Sequence, residues 1–92
     1  MWEILESSDL LKTVAKLPVG IRERYENWKS IVRFGGPPAL RTLRGLHDEA
    51  LQGKWRGCRS SRLNRQYRVI YRVEDGEVRI LVLRISAHDY RR

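Results

Sequence analysis

The stretch from Lys54 to Val73, KWRGCRSSRLNRQYRVIYRV, is the part of this chain with the fewest ways to fold. Arginine stands at positions 56, 59, 62, 65 and 68, among residues that favour strands. A helix would stack residues three apart on one face. Gly53, Gly57, Ser60, Ser61 and Asn64 disfavour a helix here. A β-hairpin fits better. With Asn64-Arg65-Gln66 as a three-residue turn, Leu63 falls opposite Tyr67 and Arg62 opposite Arg68. Leu63, Tyr67, Val69, Tyr71 and Val73 then share one apolar face, and Arg62 and Arg68 lie side by side on the other. Like charges directly opposite repel unless an anion lies between them. The pair therefore predicts a phosphate site on an open sheet.

Charge placement points the same way. Residues 1–53 hold eight basic and seven acidic side chains, whereas residues 54–92 hold eleven and four. The second half is a candidate polyanion surface, and its cations are nearly all arginine, the bidentate phosphate ligand. Ninety-two residues suffice for a single domain, 1–92, with one modest core. The single cysteine, Cys58, excludes an internal disulfide and fits a reducing, cytoplasmic setting. Two histidines and one cysteine make no zinc constellation, so no metal is expected. No long apolar run or signal-like start predicts a membrane span or export.

The elements read as one strand, two helices and a three-stranded antiparallel meander, an α+β domain with the helices packed on one sheet face. Residues 2–6 form the first strand. Ser7 or Ser8 caps a helix whose Leu10, Leu11, Val14 and Leu17 share a face, ending at Pro18. A second helix, 19–34, buries Ile21, Tyr25, Trp28, Ile31 and Val32, and Gly35-Gly36-Pro37-Pro38 stops it. One helical turn over 39–44 faces Leu40 and Leu43 inward, and GLHDEALQGKW then leads into the sheet as a loop. His47 is read as a loop-positioning residue and Trp55 as packing. Strands at 66–74 and 77–85 are joined by a tight Asp75-Gly76 turn, which pairs Val73 with Val78, Tyr71 with Ile80 and Val69 with Val82. Leu81, Leu83 and Ile85 would then leave the open face partly apolar. The tail SAHDYRR leaves the last strand beside Arg62 and Arg68, so His88 and Tyr90 converge on the pair.

This element order, with LQGKWRG, SSRLNRQYRVIYRVEDGEV and the closing ISAHDY, resembles the RelE/StbE superfamily of type II toxins, nearest its YafQ-like branch. The detailed likeness covers about residues 46–90. It implies a ribosome-dependent mRNA endonuclease that cleaves in the A site through the RNA's own 2′-hydroxyl, without cofactor, and a cognate antitoxin partner. Arg68 matches the arginine that such toxins place on the scissile phosphate. Arg62 falls where RelE has a basic residue and YafQ-like members a histidine. His88 matches the catalytic histidine near the YafQ C-terminus, and Tyr90 lies in the tail that supplies an aromatic near the reacting nucleotide. Lys54, Arg56, Arg59, Arg65 and Arg84 are the expected RNA-binding cations. Two positions depart from the pattern: Glu49 of DEAL replaces a histidine, and Gln66 an aspartate. Glu49 is a secondary base candidate. A ParE-like gyrase poison and a noncatalytic RNA-binding homologue remain alternatives.

Overall fold

The computed structural model describes residues 1–74, 76 and 78–87. Strand β1, Glu3–Glu6, leads into helix α1, Ser8–Ala15. The Ser7 hydroxyl accepts a hydrogen bond from the Leu10 N–H at 3.1 Å, a cap worth about 1 kcal/mol. Pro18 then opens α2, Val19–Thr42, which is two helical segments in series. Gly36 breaks it at φ 70°, ψ −174°, and Pro37 starts the second segment, where a missing N–H costs nothing. The glycine is required twice over. Its φ is left-handed, and a Cβ there would collide with the Trp2 indole. The double-glycine, double-proline stretch thus stops the first helical segment, as the sequence predicts, and the second follows directly after it. Leu40 in the second segment is fully buried, but Leu43, expected inside, is exposed.

The expected strand count needs correction. The sheet is mixed and five-stranded, in the order β1-β5-β4-β3-β2, rather than one strand with a three-stranded meander. The added member is β2, Glu49–Ala50, which pairs antiparallel with β3, Arg59–Arg62. At two residues it carries no readable period, and the Leu51 N–H to Cys58 carbonyl bond at 3.0 Å continues its pairing. β3 pairs antiparallel with β4, Arg68–Val73, which pairs antiparallel with β5, Arg79–Ser86. β1 lies parallel to β5, with Ile4 opposite Ile80. The α+β class and the single helical layer stand.

The β3–β4 register is the one the sequence predicts. Arg62 is the Cα partner of Arg68, and the Leu63 N–H donates to the Tyr67 carbonyl at 2.9 Å. The Asn64 side chain closes the turn by accepting from the Gln66 and Tyr67 N–H groups at 2.8 and 2.7 Å. The β4–β5 register differs. Val73 pairs with Ile80 and Tyr71 with Val82, two residues from expectation, and the Glu74 N–H donates to the Arg79 carbonyl at 3.0 Å. Gly76 has φ 72°, while Asp75, the other residue of the proposed tight turn, lies outside the described residues. A bulge between Ile70 and Tyr71 then leaves Leu83 without a partner, so Ile70 pairs with Arg84 and Val69 with Ile85. A shift of two preserves which face each side chain takes; the bulge reverses it. Ile85, expected on the open face, is therefore in the core, and Arg84 joins the open face.

Leu10, Leu17, Ile21, Tyr25, Trp28, Val32 and Leu40 pack against Leu63, Val69, Tyr71, Ile80, Val82 and Ile85. Trp28 stacks on Tyr25 at 5.8 Å and meets Tyr71 edge-on at 5.4 Å, geometries worth about 0.5–1.5 kcal/mol each beyond area burial. Lys29 is buried here too; its Nζ reaches Glu6 at 3.3 Å, and Glu6 accepts from the Tyr25 hydroxyl at 2.7 Å. Leu51, Cys58 and Ile70 form a second cluster on the opposite face, with Trp55 and Leu83 against it. The connection after β2 thus folds back over the middle of the open face, which the sequence predicts to be partly apolar. Among the described residues no helix is long and apolar enough to cross a membrane.

Candidate functional site

Across the face away from the helices, side chains fall in cross-strand rows. Arg62, Arg68 and Ser86 make one row; Glu49, Ser60, Ile70 and Arg84 make the next. The first row holds the two opposed arginines that the hairpin register predicts. The second adds a carboxylate and a hydroxyl, both within reach of Arg68.

Arg68 is held firmly, with its side chain only 12% exposed. Its Nε and Nη2 donate to the Ser60 hydroxyl at 3.1 and 2.9 Å, and Nη2 also donates to the His47 carbonyl at 3.1 Å. The Glu49 carboxylate stands 3.6 Å from the same nitrogen, itself 40% exposed. Arg62, directly opposite, is partly exposed and makes no hydrogen bond or ion pair with any described residue. One guanidinium is therefore pre-oriented, and its neighbour is available to an incoming anion. His47 does position its loop, through its backbone: it takes the left-handed conformation at φ 43° and presents its carbonyl to Arg68, while its imidazole side is exposed.

Beneath this arrangement, on the helix-facing side, lies a carboxylate that sequence reading passed over. The Asp48 side chain is 0% exposed. Arg59 Nε donates to its Oδ1 at 2.7 Å, and the Ser61 and Tyr71 hydroxyls donate to its Oδ2 at 2.7 and 2.6 Å. A buried charge needs such partners, and one of the three is a full countercharge. Burial opposes the Arg59 charge, but the hydrogen bond to Asp48 and its negative charge, with smaller contributions from Tyr71, together raise the Arg59 pKa. The Tyr71 pKa is raised as well, first by burial and then by its bond to Asp48. Arg59, expected on the RNA-binding face, is thus committed to Asp48. Strand alternation carries the signal that would have found this: Arg59 and Ser61 share the parity of Leu63, so they point toward the core and need a buried partner.

Of the other expected RNA-binding cations, Lys54, Arg56, Arg65 and Arg84 are all exposed. Lys54 lies in a 3₁₀ turn, Gly53–Trp55, that covers part of the open face, Arg65 in the β3–β4 turn, and Arg84 on β5. His88 and Tyr90 lie outside the described residues. Ser86 is the partner of Arg68, so the chain leaves β5 beside the arginine pair. A cleft of about 520 Å³, lined by Ser7, Asp9, Tyr67, Arg84 and Ser86 among others but by neither arginine of the pair, opens between the start of α1 and the end of β5. Among the described residues no group of three or more His, Cys, Asp or Glu is placed to hold a metal ion.

No protein-family model matches the chain, and no curated protein matches it in sequence. Solved structures do. A YoeB–YefM complex from Staphylococcus aureus superposes with a TM-score of 0.70 at 18% identity, covering 97% of this chain and 99% of that one. An archaeal RelE–RelB complex from Pyrococcus horikoshii gives 0.73 at 21%, covering 94% and 93%. A YoeB/ParE toxin from Agrobacterium tumefaciens gives 0.66 at 18%, covering 95% and 99%. End-to-end coverage at this similarity makes the likeness one of the whole domain: the chain has the fold of the RelE and YoeB toxins.

Proposed function

We propose that this protein is the toxin of a type II toxin–antitoxin pair and acts as a ribosome-dependent mRNA endonuclease. One observation carries the reading. Arg68 is fixed by Ser60 and the His47 carbonyl, with Arg62 opposite it and the Glu49 carboxylate 3.6 Å away. Such a cluster combines two permanent cations with a titratable acceptor, which phosphoryl transfer to an internal nucleophile needs.

In the proposed reaction a ribose 2′-hydroxyl attacks the adjacent phosphorus. Glu49 takes the hydroxyl proton, and Arg68 and Arg62 stabilise the charge that builds on the non-bridging oxygens. The bond from phosphorus to the 5′-oxygen breaks, and His88 donates a proton to that oxygen. The products are a 2′,3′-cyclic phosphate and a 5′-hydroxyl. His88 and Tyr90 enter this scheme from the sequence tract that they close. Lys54, Arg56, Arg65 and Arg84 are the exposed cations that would follow the backbone. Two of the similar structures are complexes named for a toxin and its partner, which supports a cognate antitoxin here. Placement near the YafQ-like branch stays with the sequence tract that suggested it.

Purified protein incubated with programmed ribosomes and a defined message tests the proposal. Mapped RNA ends should fall within the A-site codon, and Arg68→Ala should abolish them. Intact message with ribosomes, together with inhibition of gyrase supercoiling, would instead establish the poison reading suggested by the ParE-like relatives. Intact message and no gyrase effect would leave the noncatalytic one.

A further inference from the structure

The chain from His47 to Glu49 crosses the sheet edge with its three residues serving opposite faces. His47 gives its carbonyl to Arg68, and Glu49 sets its carboxylate beside the same guanidinium. Asp48, between them, turns the other way into the layer between sheet and helices. We propose that Asp48 is a positioning residue for Arg68: its buried carboxylate, tied to β3 and β4 by Arg59, Ser61 and Tyr71, locks the two neighbours that orient the phosphate-binding guanidinium. The inference rests on reading Arg68 as the phosphate ligand.

Three observations support it. The bonds to Asp48 are short, at 2.6–2.7 Å, and come from two adjacent strands. The one non-glycine residue with positive φ among the described residues is His47, immediately before it. A left-handed non-glycine backbone persists where its surroundings over-determine it, and the Asp48 anchor supplies that constraint. Finally, Ser60 and Ser61 divide the work across β3: Ser60 accepts from Arg68 on the open face, and Ser61 donates to Asp48 on the other. The strand thus couples the anchor to the site through adjacent residues.

The experiment follows the Arg68 Nε–H signal in ¹⁵N-labelled protein, assigned by its loss in Arg68→Ala, alongside single-turnover cleavage on programmed ribosomes. The wild type should show a resolved, slowly exchanging signal. Asp48→Asn, which removes the charge that Arg59 pairs with, should broaden it and speed its exchange. Cleavage at saturating ribosome concentration should slow about 10–100-fold while ribosome affinity is unchanged. Ser61→Ala removes one neutral donor and should move both readouts the same way by less, so it carries the test if Asp48→Asn does not fold. A folded variant with an unchanged Arg68 signal and rate overturns the proposal. So does a rate that falls only in proportion to unfolded protein. A wild type that cleaves nothing, with an Arg68 signal that still collapses in the variants, would sink the endonuclease reading and leave the positioning role standing.

Discussion

Leu63 and Arg62 are adjacent in sequence and should respond to truncation in opposite ways. Leu63 is 4% exposed and belongs to the main core, so Leu63→Ala should destabilise the fold by about 2–5 kcal/mol. Against a total stability of roughly 5–15 kcal/mol for a domain this size, that is a large share. The melting temperature should fall by on the order of 10 °C or more, at about 4–8 °C per kcal/mol. Arg62 has no partner among the described residues and faces a second arginine across the ladder. If the two guanidinium groups splay to about 10 Å, their repulsion is roughly 0.4 kcal/mol in water and about 1.7 kcal/mol at an effective dielectric near 20. Arg62→Ala should therefore leave stability within about 0.5 kcal/mol or raise it slightly, while weakening cleavage. Urea melts of both variants, run with the ribosome assay, read the two effects separately. The reasoning fails if Arg62→Ala unfolds readily. That outcome would mean the side chain is packed against the helices, as a two-residue turn at Asn64-Arg65 would require, and the two-arginine clamp would go with it.

The remaining predictions concern the site's chemistry. Arg68→Lys should recover only a small part of the activity that Arg68→Ala loses, since an ammonium cannot place two donors on Ser60 and still meet a phosphate; full rescue would show that a point charge suffices. Glu49→Gln keeps shape and removes the proposed base, so single-turnover cleavage should slow about 10²–10⁴-fold; an unchanged rate would remove Glu49 from proton transfer. His88→Ala should slow cleavage by about the same factor without changing the urea midpoint, and normal single-turnover rates would strike it from the mechanism. Alkaline stability tests the buried tyrosine. Tyr71 is neutral in both states below its ordinary pKa of 10.0; above it the unfolded chain ionises while the raised folded-state pKa keeps the buried hydroxyl protonated. Stability should thus fall above pH 10 by about 1.4 kcal/mol per pH unit for this group, and Tyr71→Phe should remove that share of the slope.

What the sequence made legible follows from how local its causes are. The β3–β4 hairpin depends on a three-residue turn and on alternation over a few positions, and Asn64 closes that turn with its own side chain. Both causes lie within ten residues, so the opposed arginines are legible in the sequence itself. The β4–β5 pairing has no such pin. Its connection runs beyond Asp75-Gly76, and the bulge at Leu83 is a tertiary adjustment with no glycine or proline to mark it. Its effect is nevertheless decisive for the site, because reversed parity from Arg84 onward puts that cation, and Ser86 after it, on the face of Arg68. Strand β2 was invisible for a different reason. Two residues carry no period, and what holds them is the Asp48 carboxylate, whose partners lie 11, 13 and 23 residues away. The aspartate reads as a loop residue because its three donors are gathered only once the sheet has formed. Glu49 inherits the same obscurity: its place beside Arg68 exists only because Asp48 turns inward, so the base candidate and its anchor become visible together.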